Sequence, residues 1–584
     1  MQGRPPDGAP AKGVFPAGTG VSGEHGPAAG ARPPTGLGFV QVAFAGHNRP
    51  ADLGDPGALA ARLGEVFRLL AEAGVGEARL LTGLAEGADV IAALAWRQVG
   101  LGPVHAVYPF LDDRPGAEGE GLAELASWLD GAAIVAEGRN PHLAQTRWIL
   151  GAADLLVAVW SGEHGRGAGG TADAVRLALE HGAPVIWVQP GDQRLRLIQP
   201  RRLHEDYGFL EFIETLQGEG TPLVEPATAE GLREALDEVG VGQHALPPEP
   251  HAERARDRRR ARIYRWFRRT LGGLGPAAEI LAPPPDLAAQ PGFVRLSAAL
   301  EAADARANQL GSLHRSHQVI LLGLAVGAAI VGSAPGLWPA AKVVSVAGEL
   351  LLAMIALLIW RDSERGHSHQ RWAVARRLAE DLRLERVGFT IGMPSPRQGL
   401  IVHGAEDAAR ERRLAGLPTG AFDPDRVRRW GRWAIDELMG GQAAYHRRQG
   451  AINARISHRV HLVENISFAA LLMTLVAYLL ALGAGRMLGH EPPHWLEGLV
   501  FMASAIVPAI GAAGLALEAT LSLGEEAQRS DVLAARLEVL ASGLAPEPSL
   551  PALQNAAGAA IRLQRAQEDH WLEGAIRRKL VRGG

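Results

Sequence analysis

The chain has 584 residues, a net charge of −4 and no cysteine. Its length predicts more than one domain, and its near-neutral charge gives no global electrostatic case for a nucleic-acid partner. Without cysteine the chain forms no disulfide and no thiolate zinc site, which suits a reducing compartment. The mean hydropathy of +0.02 is high for a chain with 21% charged residues. The apolar residues must therefore be concentrated in part of the sequence.

Residues 1–36 are rich in Pro, Gly and Ala and lack the apolar core of a signal peptide, so they predict a disordered tail. From residue 37 to 190, six short apolar runs alternate with helical patterns. These runs are FVQVAFAG, ARLLTG, VHAVYPF, AAIVA, DLLVAVW and PVIWV. This alternation predicts an α/β domain with a parallel sheet and helices on both faces. In such sheets ligands bind outside the carboxyl ends of the strands.

Three glycine-bearing turns follow strands at that edge: Gly46-His47, Gly83–Asp89 and Ser161–Thr171. A glycine turn lets backbone N–H groups approach a phosphate at a helix N-terminus, where the helix dipole favours an anion. Thr171 has the position of an N-cap or of a hydroxyl that contacts phosphate. His47 and Arg49 are candidate phosphate ligands, and capping or surface roles are the alternative.

Two of these turns resemble family motifs. TGLAEGADVIAA resembles a turn of DNA-processing protein A, and GRGAGGTADAV resembles a turn of lysine-decarboxylase-like phosphoribohydrolases. Both belong to the SLOG superfamily of Rossmann-like domains that bind or cleave nucleotide-derived ligands, which also includes N-terminal domains of melastatin-type TRP channels. The resemblance covers residues 37–190 and implies a Rossmann-like fold with a nucleotide-type ligand. The resemblance implies that this ligand lies over Gly83–Asp89 and Gly169–Thr171. With the other glycine-bearing turns included, the candidate ligand-binding residues are Gly46, His47, Arg49, Gly83, Glu86, Gly87, Asp89, Gly162, Gly169, Gly170, Thr171 and Asp173.

One position departs from the phosphoribohydrolase pattern. Those enzymes carry a catalytic glutamate three residues after the threonine, where this chain has Ala174. Asp173 is one position early, which is about 100° of helical rotation, so it cannot stand in for that glutamate. Glu86 and Asp89 remain candidate acids that accept ribose hydroxyls or attack a glycosidic carbon, with a solvated turn residue as the alternative for Glu86.

Residues 191–300 are predicted to form a linker with a basic helix. Its run Arg254–Arg269 is strongly basic and is interleaved with Tyr264, Trp266 and Phe267. Nucleic acid is one interpretation of this run. Its place ahead of the apolar segments favours a helix on the membrane surface, because basic segments with aromatic residues bind anionic headgroups.

Four apolar runs of near-spanning length follow in two pairs, and a spanning helix needs ~20 such residues. The runs are Val319–Trp338, Val343–Trp360, Ile466–Gly485 and Leu499–Thr520. The alternative is four core helices of a soluble bundle, but short turns within each pair and tryptophans at several ends favour a membrane. The second domain is therefore predicted to be all-α, with four transmembrane helices in two hairpins.

The distribution of arginine predicts the orientation of the four helices in the membrane. Residues 361–465 are rich in arginine, whereas the two hairpin turns hold only Lys342 and Arg486 as basic residues. The positive-inside rule then predicts hairpin tips outside and cytoplasmic N- and C-termini, in a multi-pass protein of the inner (cytoplasmic) membrane.

The two hairpins have similar flanks. RANQLGSLHRSHQ and INARISHRVHLVEN precede them, and HQRWAVARRLAEDL and AQRSDVLAARLEVL follow them. The repeated order of basic helix, hairpin and amphipathic helix indicates a duplication. It resembles the SLATT membrane modules that accompany SLOG domains in predicted bacterial conflict systems. The units cover residues 301–382 and 441–545, with a cytoplasmic connection at 383–440 and a C-terminal cytoplasmic helix at 546–584.

Glu349 lies inside the second apolar run, where an ionisable group costs about 2.5–3.5 kcal/mol and indicates function. Pore lining, pairing with a neighbouring helix and protonation all remain open. Together these features predict a cytoplasmic domain that senses a nucleotide-derived ligand and controls a membrane effector, with no further cofactor and no metal. A homo-oligomer in a lipid bilayer is expected. The alternatives are a membrane-tethered nucleotide hydrolase or N-glycosyl transferase, and a scaffold that binds nothing.

Overall fold

The computed structural model describes most of residues 37–581. It leaves out residues 1–36, 38, 48–49, 110–124, 126, 135–139, 164–168, 193, 201–223, 240–254, 274–280, 366–367, 394–404, 422, 489–493, 547 and 582–584. The predicted N-terminal tail and Arg49 therefore lie outside the described residues.

Nine strands of the described residues form one sheet, eight of them from the first part of the chain and one from residues 420–421. Its strands are β1 (Val40–Gly46), β2 (Ala78–Thr82), β3 (Val104–Tyr108), β4 (Leu129–Ile134), β5 (Leu155–Val159), β6 (Val185–Val188), β7 (Leu195–Ile198), β8 (Val224–Pro226) and β9 (Gly420–Ala421). The order across the sheet is β8-β7-β6-β5-β1-β2-β3-β4-β9. Seven neighbouring strands are parallel: β6, β5, β1, β2, β3, β4 and β9. At the other edge, β7 pairs antiparallel with β6, and β8 pairs antiparallel with β7. The predicted parallel α/β sheet is confirmed.

Six helices of the sheet region are described: α1 (Pro50–Leu53), α2 (Pro56–Glu72), α3 (Ala88–Val99), α4 (Pro141–Ala152), α5 (Thr171–Glu180) and α6 (Ala229–Glu238). Strands β3, β5 and β6 are buried along their whole length, as parallel strands with both faces covered must be. On one face, Leu63 and Phe67 of α2 and Trp96 of α3 share a core with the sheet. Helices α4 and α5 contribute to the core on the other face.

The strand order reverses at β1. From β1 the chain builds outwards through β2, β3 and β4 on one side, and then returns to place β5 and β6 on the other. The crevice between the carboxyl ends of β1 and β5 is therefore the topological switch point, where open α/β sheets bind ligands. The turns that begin at Gly46 and Ser161 meet there.

The remaining helices form a long helical region. They are α7 (Ala255–Gly272), α8 (Pro285–Ala288), α9 (Pro291–Ser333), α10 (Lys342–Arg365), α11 (Ser368–Thr390), α12 (Ala405–Ala415), α13 (Pro424–Ile435), α14 (Gln442–Leu488), α15 (His494–Leu521), α16 (Leu523–Ser542) and α17 (Leu550–Val581). Short 3-10 turns join α9 to α10, and a π-helical turn at Asp436–Gly441 joins α13 to α14.

Among the described residues, four helical stretches are long and apolar enough to cross a membrane, and they include α9, α10, α14 and α15. No more than 11% of the apolar window of any of them is buried. The helices of a soluble bundle would turn their apolar stripe inwards. The exposed apolar surface therefore favours association with a membrane over the alternative of a soluble bundle.

The two hairpins have matching architecture. Helix α9 packs along both α10 and α11, and α14 packs along both α15 and α16. Helix α9 is one continuous helix of 43 residues, about 65 Å long. The segment RANQLGSLHRSHQ and the apolar run that follows it therefore belong to the same helix, which extends beyond the apolar run. At the far end the hairpin tips touch, since a Cβ atom on Gly498 would lie 2.1 Å from the carbonyl oxygen of Gly336.

The sheet is docked on the helical region through a shared core. Trp148 of α4 and Leu156 of β5 belong to the same buried cluster as Leu296 of α9, Trp430 of α13 and Leu553 of α17. Strand β9, from the connection between the hairpins, adds to the free edge of β4. Strands β7 and β8 likewise lie beyond residue 190, in the segment that the sequence predicts as a linker. The sheet and the membrane hairpins are thus packed through common elements.

Candidate functional site

The turn after β1 is tied to both neighbouring strand ends. The His47 Nε2 atom accepts a hydrogen bond of 3.2 Å from the backbone N–H of Ser161, which follows β5. The His47 carbonyl accepts a bond of 3.2 Å from the N–H of Ala88, the first residue of α3. A Cβ atom on Gly46 would lie 2.5 Å from the Ala88 Cβ. His47 therefore bridges the switch point, and an accepting Nε2 places the proton of the neutral ring on Nδ1.

The turn Gly83–Asp89 wraps around a buried carboxylate. The Thr82 hydroxyl donates to Asp89 Oδ2 at 3.0 Å and accepts from the Leu84 N–H at 3.2 Å. Burial raises the pKa of Asp89 to about 7, against the lowering effect of the hydrogen bonds from Thr82 and from the backbone of Ala85 and Gly83. Asp89 thus lies beneath the turn and organises it, while Glu86 is exposed on the outer surface.

The backbone conformation and the close packing of this turn explain why both of its glycines lack a side chain. Gly87 has a φ of +101°, a conformation that a side chain disfavours. A Cβ atom on Gly83 would lie 2.5 Å from Gln145 Nε2. Gln145 in turn donates to the Val107 carbonyl at 2.6 Å and so links α4 to the end of β3.

The pKa of Asp89 gives a testable pH dependence. A carboxyl whose folded-state pKa lies above its unfolded value near 3.8 stabilises the fold at low pH and loses that stabilisation as pH rises through about 7. The amide in the Asp89→Asn variant stays neutral, so the variant should lose less stability between pH 5 and 8 than the wild type, by roughly 1–4 kcal/mol. Thermal denaturation of both proteins at the two pH values measures the difference. A constant offset between them at all pH values would contradict the raised pKa.

The turn before α5 is closed by Asp173. Its Oδ2 accepts a hydrogen bond of 2.8 Å from the Gly169 N–H, and its Oδ1 pairs with Arg176 at 3.2 Å. Gly169 has a φ of +88°, and a Cβ atom there would lie 2.5 Å from the backbone nitrogen of Leu143. Asp173 and Gly169 therefore shape the turn against α4. Ala174, at the position of the family's catalytic glutamate, is buried in the core.

The N-cap of α5 is Gly170, and Thr171 is the first helical residue. Gly170 is exposed and has an extended backbone (φ −78°, ψ 179°) that other residues adopt equally well. Gly162, at the start of the same turn, has a φ of +86° and packs close to the ring of Trp187. Of the two roles expected for Thr171, the N-cap is wrong, because the extended Gly170 is the residue at the helix boundary, and contact with phosphate stays a prediction.

Helix capping distinguishes the turns at the switch point. Helices α2, α4 and α6 have the side-chain N-caps Asp55, Asn140 and Thr228, each accepting a backbone N–H. Helices α3 and α5 have Gly87 and Gly170 as N-caps, and no side chain in the described part of the chain caps either. These two helices follow the strands on either side of β1. Their positive dipole ends lie at the carboxyl edge of the sheet, and the Ala88 N–H of α3 already donates to the His47 carbonyl.

In the helical region, Glu349 is exposed on α10. Its carboxylate lies over the neighbouring helix of the same hairpin, since a Cβ atom on Gly332 of α9 would be 3.0 Å from Glu349 Oε2. The structure thus does not bring Glu349 together with the residues of the crevice.

Comparison with protein-family models, with curated proteins and with solved structures finds no match to this chain.

Proposed function

We propose that this chain is a membrane protein whose sheet domain, of Rossmann-like type, binds a phosphorylated nucleotide-derived ligand and thereby controls its four-helix membrane region. The observation that carries the proposal is the pair of glycine-capped N-termini, of α3 and α5, on either side of the strand-order reversal. A phosphate in that crevice would receive backbone N–H groups and the positive ends of two helix dipoles. Glu86, which is exposed beside α3, would accept a ribose hydroxyl.

A route from the crevice to the helices is built from the same two strands. Gln41 near the amino end of β1 and Asp154 just before β5 bind Arg413 of α12: Gln41 Nε2 donates to the Arg413 carbonyl at 2.7 Å, and Arg413 Nε lies 2.7 Å from Asp154 Oδ1. Helix α12 packs against α9 and α11. A ligand that favours one spacing of β1 and β5 would therefore favour one position of α12. Its differential affinity for the two positions sets the size of the effect.

The membrane region would act as the effector in an oligomer of this chain. Glu349 is a carboxylate on a helix of spanning length, and apolar residues surround it in the sequence. In a symmetric oligomer several copies of Glu349 would form a ring that favours cations. The N- and C-termini would then lie on the cytoplasmic side with the sheet domain.

The Gly170→Val substitution tests the site. Valine adopts the extended backbone of Gly170, but its side chain would obstruct the close approach of a phosphate to the N-terminus of α5. We expect a panel of AMP, ADP, ATP, NAD and inorganic phosphate to include a compound that raises the melting temperature of the full-length wild type. The variant should need at least a tenfold higher concentration of that compound for the same shift.

Gly76→Val is the matched control, because Gly76 is exposed, has open space around a Cβ atom and precedes β2 at the opposite edge of the sheet. Its ligand response should equal that of the wild type. Equal responses in Gly170→Val and Gly76→Val would place the site elsewhere.

The second candidate function is a membrane-tethered nucleotide hydrolase or N-glycosyl transferase. It is favoured by the pKa of about 7 at Asp89, which suits acid–base chemistry near neutral pH. Against it, the Asp89 carboxylate is engaged by Thr82 and by the backbone of its own turn. Mass spectrometry of the same panel separates the two functions, since an enzyme would release a free base and lose that activity in Glu86→Gln or Asp89→Asn.

A further inference from the structure

The basic helix α7 is anchored between the two membrane hairpins. Its backbone N–H at Tyr264 donates to Ser316 Oγ of α9 at 2.9 Å, and the Tyr264 side chain is buried. At its other end Gly272 is buried so closely against α14 that a Cβ atom would lie 2.8 Å from the side chain of Ile452. The position of α7 relative to the spans is thus defined along its length.

Both ends of α7 lie at the boundary of the apolar segments. Arg260 pairs at 2.7 Å with Asp362, which is two residues past the apolar run that ends at Trp360. The Thr270 carbonyl accepts a bond of 2.9 Å from Arg459, three residues before the exposed Leu462. At 1.5 Å per residue, both partners are within about 5 Å of apolar surface. Helix α7 therefore lies along the membrane boundary rather than across it.

The two sides of α7 use their arginines differently. Arg260 and Arg268 bind neighbouring helices, through Asp362 and Gln449. The opposite side carries exposed basic residues and one exposed tryptophan. These residues are Arg259, Arg262, Arg265, Trp266 and Arg269.

This outer side forms one continuous stripe, because at about 100° per residue its positions fall within about 120° of each other. Trp266 is 66% exposed. Within the described residues no carboxylate pairs with Arg262 or Arg269, and Arg265 Nε donates only to its own helix, to the Ala261 carbonyl at 3.4 Å. The stripe combines free guanidinium groups with an aromatic residue at the membrane boundary.

We propose that this outer stripe of α7 binds the anionic phospholipid headgroups of the leaflet next to the sheet domain. Guanidinium groups bind phosphate in bidentate geometry, and an exposed tryptophan is stable at the headgroup level, where its ring meets apolar chains and its N–H meets water. Charge attraction to anionic lipid and burial of the Trp266 ring act on the same side of the helix. This lipid site is independent of any ligand bound by the sheet.

The depth of residue 266 is the first measurement. A nitroxide label is attached to Trp266→Cys in the full-length protein, which is placed in vesicles of phosphatidylcholine with phosphatidylglycerol. Its depth in the membrane is measured from its collision rates with oxygen and with a water-soluble nickel chelate. The reference labels are Leu479→Cys, exposed on the apolar part of α14, and Arg432→Cys, exposed on α13. The chain has no native cysteine to interfere. We expect the label at 266 to lie at a depth between the two references. A label at 266 that collides with the nickel chelate as often as the label at 432 would overturn the proposal.

The charge requirement is the second measurement. Each basic residue near an anionic surface changes lipid affinity by about fivefold, so Arg262→Gln/Arg265→Gln/Arg269→Gln should weaken phosphatidylglycerol binding by roughly 100-fold. Binding is followed by the melting temperature of detergent-solubilised protein during titration with this lipid. The control Arg68→Gln/Arg306→Gln/Arg536→Gln changes the charge equally at exposed sites elsewhere and should bind as the wild type does.

Equal binding by both triple variants, or an equal response of the wild type to phosphatidylcholine, would show that α7 has no anionic-lipid site. If the α7 triple variant does not fold, the depth of the label at 266 decides the question by itself.

Discussion

Replacing Arg413 with methionine should lower the free energy of unfolding by about 3–5 kcal/mol, the cost of leaving a buried charge without its partner. The side chains of Arg413 and Asp154 are 8% and 1% exposed, and they meet at 2.7 Å. Asp154 also accepts the backbone N–H of Gln41 at 2.9 Å. In Arg413→Met the Asp154 carboxylate remains buried but loses this guanidinium. Chemical or thermal denaturation of the detergent-solubilised protein measures the loss.

The double variant Asp154→Asn/Arg413→Met removes both charges and should recover a large part of this loss. Arg432→Met is the matched control, since its side chain is 84% exposed and its pairing with Asp436 is at the 4.0 Å limit. That change should alter stability by no more than about 0.5 kcal/mol. Equal effects of Arg413→Met and Arg432→Met would mean that the sheet is not fastened to α12 through this pair.

Cysteine labelling should show an all-or-none difference between the two ends of the membrane region. Ala340 at the first hairpin tip and His494 at the start of α15 are both exposed, as is Arg432 on the side of the sheet. With the arginine-rich side in the cytoplasm, an impermeant thiol reagent should label Ala340→Cys and His494→Cys in intact cells. It should label Arg432→Cys only after the cells are opened. Labelling of Arg432→Cys in intact cells would reverse the orientation.

The strands and the apolar helices could be predicted because their signals are local. β5 and β6 are continuous apolar runs between glycines, and both are buried along their whole length. The four apolar runs coincide with helices that expose those runs. Each signal occupies fewer than about 25 consecutive residues, which is the range over which periodicity is informative.

The long-range contacts could not be predicted in this way. β9 joins the sheet from residues 420–421, and Arg413 reaches Asp154 across 259 positions. Nothing in the local pattern around either residue indicates the partner, because such pairing depends on how whole elements pack. Arg413 is one of many arginines in its segment, and only the structure shows that it is the one that pairs with Asp154.

The sequence indicated where the candidate turns lie better than it indicated what their acidic residues contact. Glycines mark strand-to-helix turns in the sequence, and the turns do gather at the carboxyl ends of β1, β2 and β5. The direction of an acidic side chain in a tight turn depends on a few dihedral angles. Asp89 and Asp173 therefore proved to face their own turns, with Gly169 as the donor to Asp173 and with Thr82, which the sequence did not single out, as the donor to Asp89.

Hydrogen exchange of the full-length protein in lipid nanodiscs tests the proposed coupling most directly, with and without the nucleotide that gives the largest thermal shift. We predict slower exchange in the turns at residues 83–89 and 169–174, because a bound phosphate would accept N–H groups at the starts of α3 and α5 and hold both turns in place. We also predict changed exchange in α12, at residues 405–415, because Arg413 is bound to Gln41 of β1 and to Asp154 beside β5 and would move with these strands. Unchanged exchange in the turns, or protection of the turns with no change in α12, would contradict a ligand site that controls the membrane helices.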